Sequence, residues 1–251
     1  MARYKIISCH VLWRELCHFA ALSNNVFDFQ FLKQGLHDTP GQLQRELQAA
    51  IDSAGSGYEA LLIGYGLCSN GIAGITARKT RLVVVRAHDC ITHLLGSKER
   101  YREYFDQHPG TYWYTPGWID TGGQPGQARY EKLLASYVEK YGKKNAQYLM
   151  EMEQGWFKSY SNAAYIDLGF GATEEGKAYT QKCASWLGWK YDELKGDSGL
   201  LERFLAGAWN AEDFLIVEPG QQIVASYDEG VIRAIPGASA ATPLVAAPKG
   251  G

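Results

Sequence analysis

The sequence predicts an α/β fold, an open and mainly parallel sheet with helices on both faces, built as two fused halves. Three observations carry this. Apolar runs of strand length recur along the chain, stretches with helical spacing separate them, and the runs Ala60–Gly64 and Arg81–Val85 are apolar at nearly every position. That last pattern belongs to strands of a sheet covered on both faces.

Tyr4–Ser8 reads as the first strand and Val11–Leu22 as a helix, because Leu12, Leu16, Phe19 and Ala20 recur at intervals that put them on one stripe. Val26–Phe31 alternates as a strand does. Thr39 stands at a helix start with Pro40 in the first position, where a missing N–H costs nothing, and that helix runs to Ala54 before the Gly55-Ser56-Gly57 break. With Ala60–Gly64 and Arg81–Val85 these elements fill a first half, about residues 1–100. The middle, 101–160, is dense in aromatics. It holds a loop from Pro109 to Trp118 and two helical stretches, Gln127–Tyr141 and Lys143–Phe157. The rhythm resumes over 161–225 with a strand Ala163–Asp167, a helix Thr173–Leu187, and a helix opened by Asp197 that carries Leu200, Leu201, Phe204, Leu205 and Ala208 on one face. Phe214–Val217 is the last strand. The whole reads as a single α/β unit over 1–240, with 238–251, rich in Ala, Pro and Gly, as a frayed tail.

Composition excludes several classes. At 251 residues, 46% hydrophobic and 21% charged, the chain is not intrinsically disordered. Its 25 basic and 27 acidic side chains leave a net charge of -2, which offers nothing to nucleic acid. No apolar run approaches the ~18 residues of a membrane helix, and the first residues lack a signal peptide's apolar region, so a cytoplasmic location is expected. Five cysteines without a CxxC pair fit reduced thiols that serve as ligands or nucleophiles. Neither Gly64-x-Gly66 nor Gly169-x-Gly171 completes GxGxxG or is followed by Lys-Ser/Thr, so nucleotide binding has little support. No Gly-x-Ser-x-Gly elbow or His-Glu-x-x-His helix occurs.

The informative fact is where the cysteines fall. Cys9 follows the first strand, Cys68 the third and Cys90 the fourth. In an open parallel sheet the carboxyl ends of the strands share one edge and ligands bind there, so three thiols distant in sequence are expected at one pocket. Three soft thiolates suit zinc or an iron–sulfur cluster, with His88 or His10 as a fourth ligand or an open position left for substrate. His88 and Asp89, beside Cys90, are the candidate catalytic groups. Gly66 in the flexible Gly64-Tyr65-Gly66 turn, Gly96 and Ser97 before a helix, and Trp113 and Trp118 in the aromatic loop are candidates for contacting a cofactor. The glycine turns would do so through free amides and the indoles by covering or stacking on a flat ligand. The loop can equally be packed between the halves. Cys17 and Cys183 read as core, Glu15 as part of a solvated helix face, and Asp167 as a turn cap or a group facing the crevice.

Gly64-Tyr65-Gly66-Leu67-Cys68, Arg86-Ala87-His88-Asp89-Cys90-Ile91 with Gly96-Ser97, Pro109-Gly110-Thr111-Tyr112-Trp113 and Gly117-Trp118 together resemble a family defined only as domain of unknown function number 1638. Tyr141-Gly142, Gly196-Asp197, Leu200-Leu201, Gly207-x-Trp209 and Pro219-Gly220 extend the resemblance over about Ile6 to Gly220. It implies a setting near corrinoid-dependent methyl transfer and one-carbon metabolism, with a corrinoid or methyltransferase protein as partner. The His88-x-Cys90 element is similar to the zinc motif of the methylcobalamin:thiol methyltransferases, an analogy of chemistry only. Three functions compete. One is a metal-dependent cytosolic enzyme acting on a small molecule. The second is a non-catalytic protein that binds or delivers a metal or cofactor. The third is a metal-free enzyme with a cysteine nucleophile.

Overall fold

The most apolar runs lie at the centre of a five-stranded sheet. The structure, a computed structural model, describes residues 1–237, so the tail expected at 238–251 lies outside the described residues. β1 (Arg3–Cys9) leads through a single 3-10 turn, His10–Leu12, into α1 (Trp13–Leu22) and β2 (Val26–Leu32). α2 (Pro40–Asp52), β3 (Ala60–Gly64), β4 (Leu82–Val85), α3 (Ile91–Leu95) and α4 (Lys98–Gln107) follow. A second segment contains β5 (Thr111–Tyr114), α5 (Pro116–Thr121), α6 (Gln127–Glu153), β6 (Asn162–Asp167), α7 (Thr173–Leu187) and β7 (Lys190–Lys195). α8 (Gly199–Ala206), β8 (Phe214–Val217), β9 (Gln221–Ala225) and β10 (Ile232–Pro236) close the described chain.

The first sheet has the order β2-β1-β3-β4-β8. Its first four strands are parallel and β8 is antiparallel to β4. The chain steps from β1 outward to β2, then back across β1 to β3. Right-handed crossovers therefore place α1 and α2 on opposite faces, and the winding reverses between β1 and β3. β3 and β4 are buried at every position, as continuous apolar runs require when both faces are covered. The α/β class and the open, mostly parallel sheet expected from sequence are both present.

Three features differ from expectation. The described residues form three sheets: β5, β6 and β7 make a separate parallel sheet in that order, and β9 and β10 pair as a two-stranded antiparallel sheet. Phe214–Val217, expected to end the second half, instead completes the first sheet beside β4. The loop expected at Pro109–Trp118 is a strand and a helix. Thr111-Tyr112-Trp113-Tyr114 are residues that fit a pleated surface, and Thr115 caps α5 by accepting from Trp118 N at 3.1 Å, with Pro116 in its first turn. The break expected between Tyr141 and Lys143 is present, because Gly142 inside α6 has φ +75° and ψ 161°, outside the helical region.

Candidate functional site

β1 and β3 flank the point where the winding reverses, and their carboxyl ends carry Cys9 and, four residues past β3, Cys68. Beyond the strand ends the β3 and β4 loops stay paired. Leu67 N donates to Ala87 O (2.7 Å) and Cys68 N to His88 O (2.8 Å). This close approach needs Gly66, where a Cβ would fall 2.7 Å from the Asp89 Cα and 2.9 Å from Ala87 O. Cys68, Ser69 and Asn70 then hold φ of 47°, 55° and 67°, three successive non-glycine residues in the left-handed region. Each costs on the order of 1 kcal/mol or more, and such strain concentrates where a structure fixes functional groups.

Cys68, Cys90, His88 and Asp89 line one side of a cavity of about 1230 Å³. Trp113 and Trp118 line the same cavity, so two of the three expected thiols and both indoles share one space. Cys9 is buried just behind the lining. Tyr65 lies among the three thiols: burial raises its pKa most, and Cys9, Cys68 and Cys90 each raise it further. Burial pushes the Cys68 thiol up to about 12, with Asp89 and Cys9 adding to the shift. Cys90 is driven well above the usual thiol range by burial, then by Asp89, Cys9 and Cys68. Cys9 is raised by burial against the opposing hydrogen bonds of Val11 N and the Tyr65 hydroxyl. No lysine or arginine is among the causes of these shifts, all three of which favour the neutral thiol. Among the described residues no three Cys, His, Asp or Glu side chains stand together as a metal-holding group. The donor set suits a thiophilic ion in kind, but a common bonding shell would require the side chains to turn inward.

His88 is exposed at the cavity, whereas both Asp89 oxygens are occupied. Oδ1 accepts from Ile91 N and Oδ2 from the Tyr101 hydroxyl, each at 2.9 Å. Gly66, Gly96 and Ser97 are not in the cavity wall. Gly96 ends α3 at φ +83° against the Asp197 side chain, and Ser97 caps α4 through Arg100 N (3.1 Å). Their backbone duties are structural. Cys183 is buried in the second sheet's core as expected, while Cys17 is only half-buried. Asp167 caps a turn, accepting from Gly169 N at 2.7 Å, and pairs with Lys177 at 3.0 Å. Glu15, expected on a solvated face, is buried and its Oε2 has no partner. α5 covers it, packing so closely that a Cβ on Gly117 would lie 3.4 Å from that oxygen.

Sequence reasoning missed the part of the cavity wall around Tyr112 and Arg129. There Tyr112 centres an aromatic cluster, 6.3 Å from Trp118, 6.0 Å from Trp156 and 5.5 Å from Tyr160 between ring centroids. Arg129 joins it from α6, its guanidinium 5.9 Å from the Trp156 ring and its Nη2 2.5 Å from Glu153 Oε1. Burial raises the Tyr112 pKa against the pull of Trp118 and, more weakly, of Arg129, which places that hydroxyl near both. The aromatic density of 101–160 was the visible signal.

The family described as Protein of unknown function (DUF1638) matches residues 31–205, more than two-thirds of the chain. The chain belongs to this family. The matched DUF1638 segment contains Cys68, His88, Asp89, Cys90, Trp113, Trp118 and Arg129, and Cys9 lies before it. No match is found among curated proteins or among solved structures. Among the described residues no helix is long and apolar enough to cross a membrane.

Proposed function

We propose that the protein is an enzyme acting on a small molecule held in this cavity, and that Cys9, Cys68 and Cys90 take up zinc or an iron–sulfur cluster. The observation that carries the reading is that Cys68 and Cys90 share one cavity with Trp113 and Trp118. A carrier would keep its thiols at the surface for hand-over, whereas Cys68 and Cys90 are half-buried in a cavity that they share with aromatic side chains. A bound ion or cluster would supply Lewis-acid or electron-transfer chemistry. The protein's own groups do the rest. The aromatic wall excludes water and stacks on substrate, His88 at the cavity surface exchanges a proton, and Asp89 holds the start of α3 beneath Cys90. A metal-free nucleophile fits less well, because buried thiols beside a carboxylate and without a cationic partner stay protonated. A corrinoid or methyltransferase partner belongs to this proposal through the family resemblance alone, and a cytosolic setting through the free cysteines.

The test is elemental analysis with a visible spectrum on protein purified without oxygen. Iron with sulfide and a brown colour selects a cluster, and colourless protein with zinc selects the other branch. Cys90→Ala should lower the metal content with the fold intact, whereas Cys183→Ala should leave it unchanged at a cost of about 1 kcal/mol of stability. Wild-type protein without metal, or an unchanged metal content in Cys90→Ala, overturns the assignment.

A further inference from the structure

The Tyr112 and Arg129 part of the cavity wall holds an unmet demand for hydrogen-bond acceptors. Arg129 Nη1 is a buried N–H donor without a hydrogen-bond partner, Trp118 Nε1 has none beyond the neighbouring Tyr112 hydroxyl, and both residues line the cavity. The lining acids are already engaged: Glu153 with Arg129 (2.5 Å), Asp89 with Tyr101 and Ile91 N (2.9 Å each), and Asp38 with His37 Nε2 (3.3 Å). An unmade hydrogen bond at a buried donor is costly, so an open donor in a cavity wall calls for a partner. The remaining polar demand is therefore for an acceptor. A guanidinium and an indole N–H converging near the Tyr112 hydroxyl suit a planar carboxylate. Glu153 already offsets much of the Arg129 charge, which favours a single negative charge over a phosphate dianion. The rings of Tyr112, Trp156 and Tyr160 offer flat apolar surface for the body behind that carboxylate.

We infer that the substrate is an organic monocarboxylate with a flat or apolar body, its carboxylate held by Arg129 and Trp118 and its other end directed towards Cys68 and Cys90. The inference rests on the cavity being the substrate site and not on what the thiols bind.

Benzoate is the probe, with neutral benzamide and doubly charged phenyl phosphate for comparison, titrated into the full-length protein by calorimetry and followed at the tryptophan indole N–H signals. Benzoate should bind saturably and shift one indole signal, that of Trp118, absent from Trp118→Phe. Benzamide and phenyl phosphate should each bind at least about tenfold more weakly. Arg129→Gln should weaken benzoate at least about tenfold and benzamide much less. Trp118→Phe keeps an aromatic ring and removes the donor, so it should weaken benzoate several-fold even if Arg129→Gln fails to fold. Arg129→Gln should keep the wild-type metal content, which separates failure here from failure of the thiol reading. Absence of saturable benzoate binding, equal or tighter binding of benzamide or phenyl phosphate, or unchanged benzoate affinity in both donor variants would overturn the inference.

Discussion

Glu15 shows how one buried carboxyl makes stability depend on pH. Burial beneath α5 raises its pKa from 4.5 to about 7, against the weaker pull of its own backbone N–H and of Arg14. The folded state thus binds this proton more tightly than the unfolded chain does. Its contribution is fully present below pH 4.5 and is lost as pH rises to about 7, a fall on the order of 3 kcal/mol at 1.36 kcal/mol per unit. Glu15→Gln keeps the shape and removes the ionisation. The variant should lose that part of the slope and exceed the wild type in stability at pH 8, as read by denaturant unfolding across pH 4 to 8. Parallel curves for the two proteins would show that Glu15 titrates normally. Solvation of this helix face was the natural reading of a glutamate in a first turn, and only the packing of α5, from a distant part of the chain, reverses it.

Among the elements, the paired loops after β3 and β4 set the positions of Cys68 and Cys90. Gly66→Ala puts a methyl group 2.7 Å from backbone atoms of Asp89, so the loops must part. The expected cost is about 2 kcal/mol, with a lower metal content in the folded fraction, measured by thermal unfolding and elemental analysis. A variant with wild-type Tm would mean that the loops separate freely. The cysteine placement was legible because β3 and β4 are continuously apolar and parallel strands share a carboxyl edge. Other elements were not. β7, Lys-Tyr-Asp-Glu-Leu-Lys, has no apolar alternation and exists as a strand through its pairing with β6. β5 is bounded by Pro109-Gly110 and Thr115-Pro116, which read as loop punctuation around four residues that pair with β6. The Arg129 and Tyr112 part of the cavity wall joins a helix to a strand of the second sheet, a tertiary approach without local periodicity.

At the scale of the whole molecule, α1 from the first sheet meets α5 from the second segment. Asp120 accepts from both sides of the Arg14 guanidinium, with Nη2 at 2.9 Å, and from Trp13 Nε1 at 3.1 Å. The pair is partly exposed, so Asp120→Ala should cost only about 1 kcal/mol globally. Its local effect should be larger: amides of α5, the helix that carries Trp118, should exchange with solvent faster, while those of β3 and β4 keep their protection. Uniformly faster exchange, or no change in α5, would remove this contact as the clasp between the two segments.

β8 gives this architecture a temporal side. The strand that completes the first sheet is made about 130 residues after its neighbour β4, with the whole second sheet in between. During synthesis at about 5–20 residues per second, the buried Leu82–Val85 strand waits many seconds with an open flank. The nascent polypeptide is thus most adhesive in mid-translation, and slow decoding of the second segment should lower the soluble yield more than slow decoding after β8.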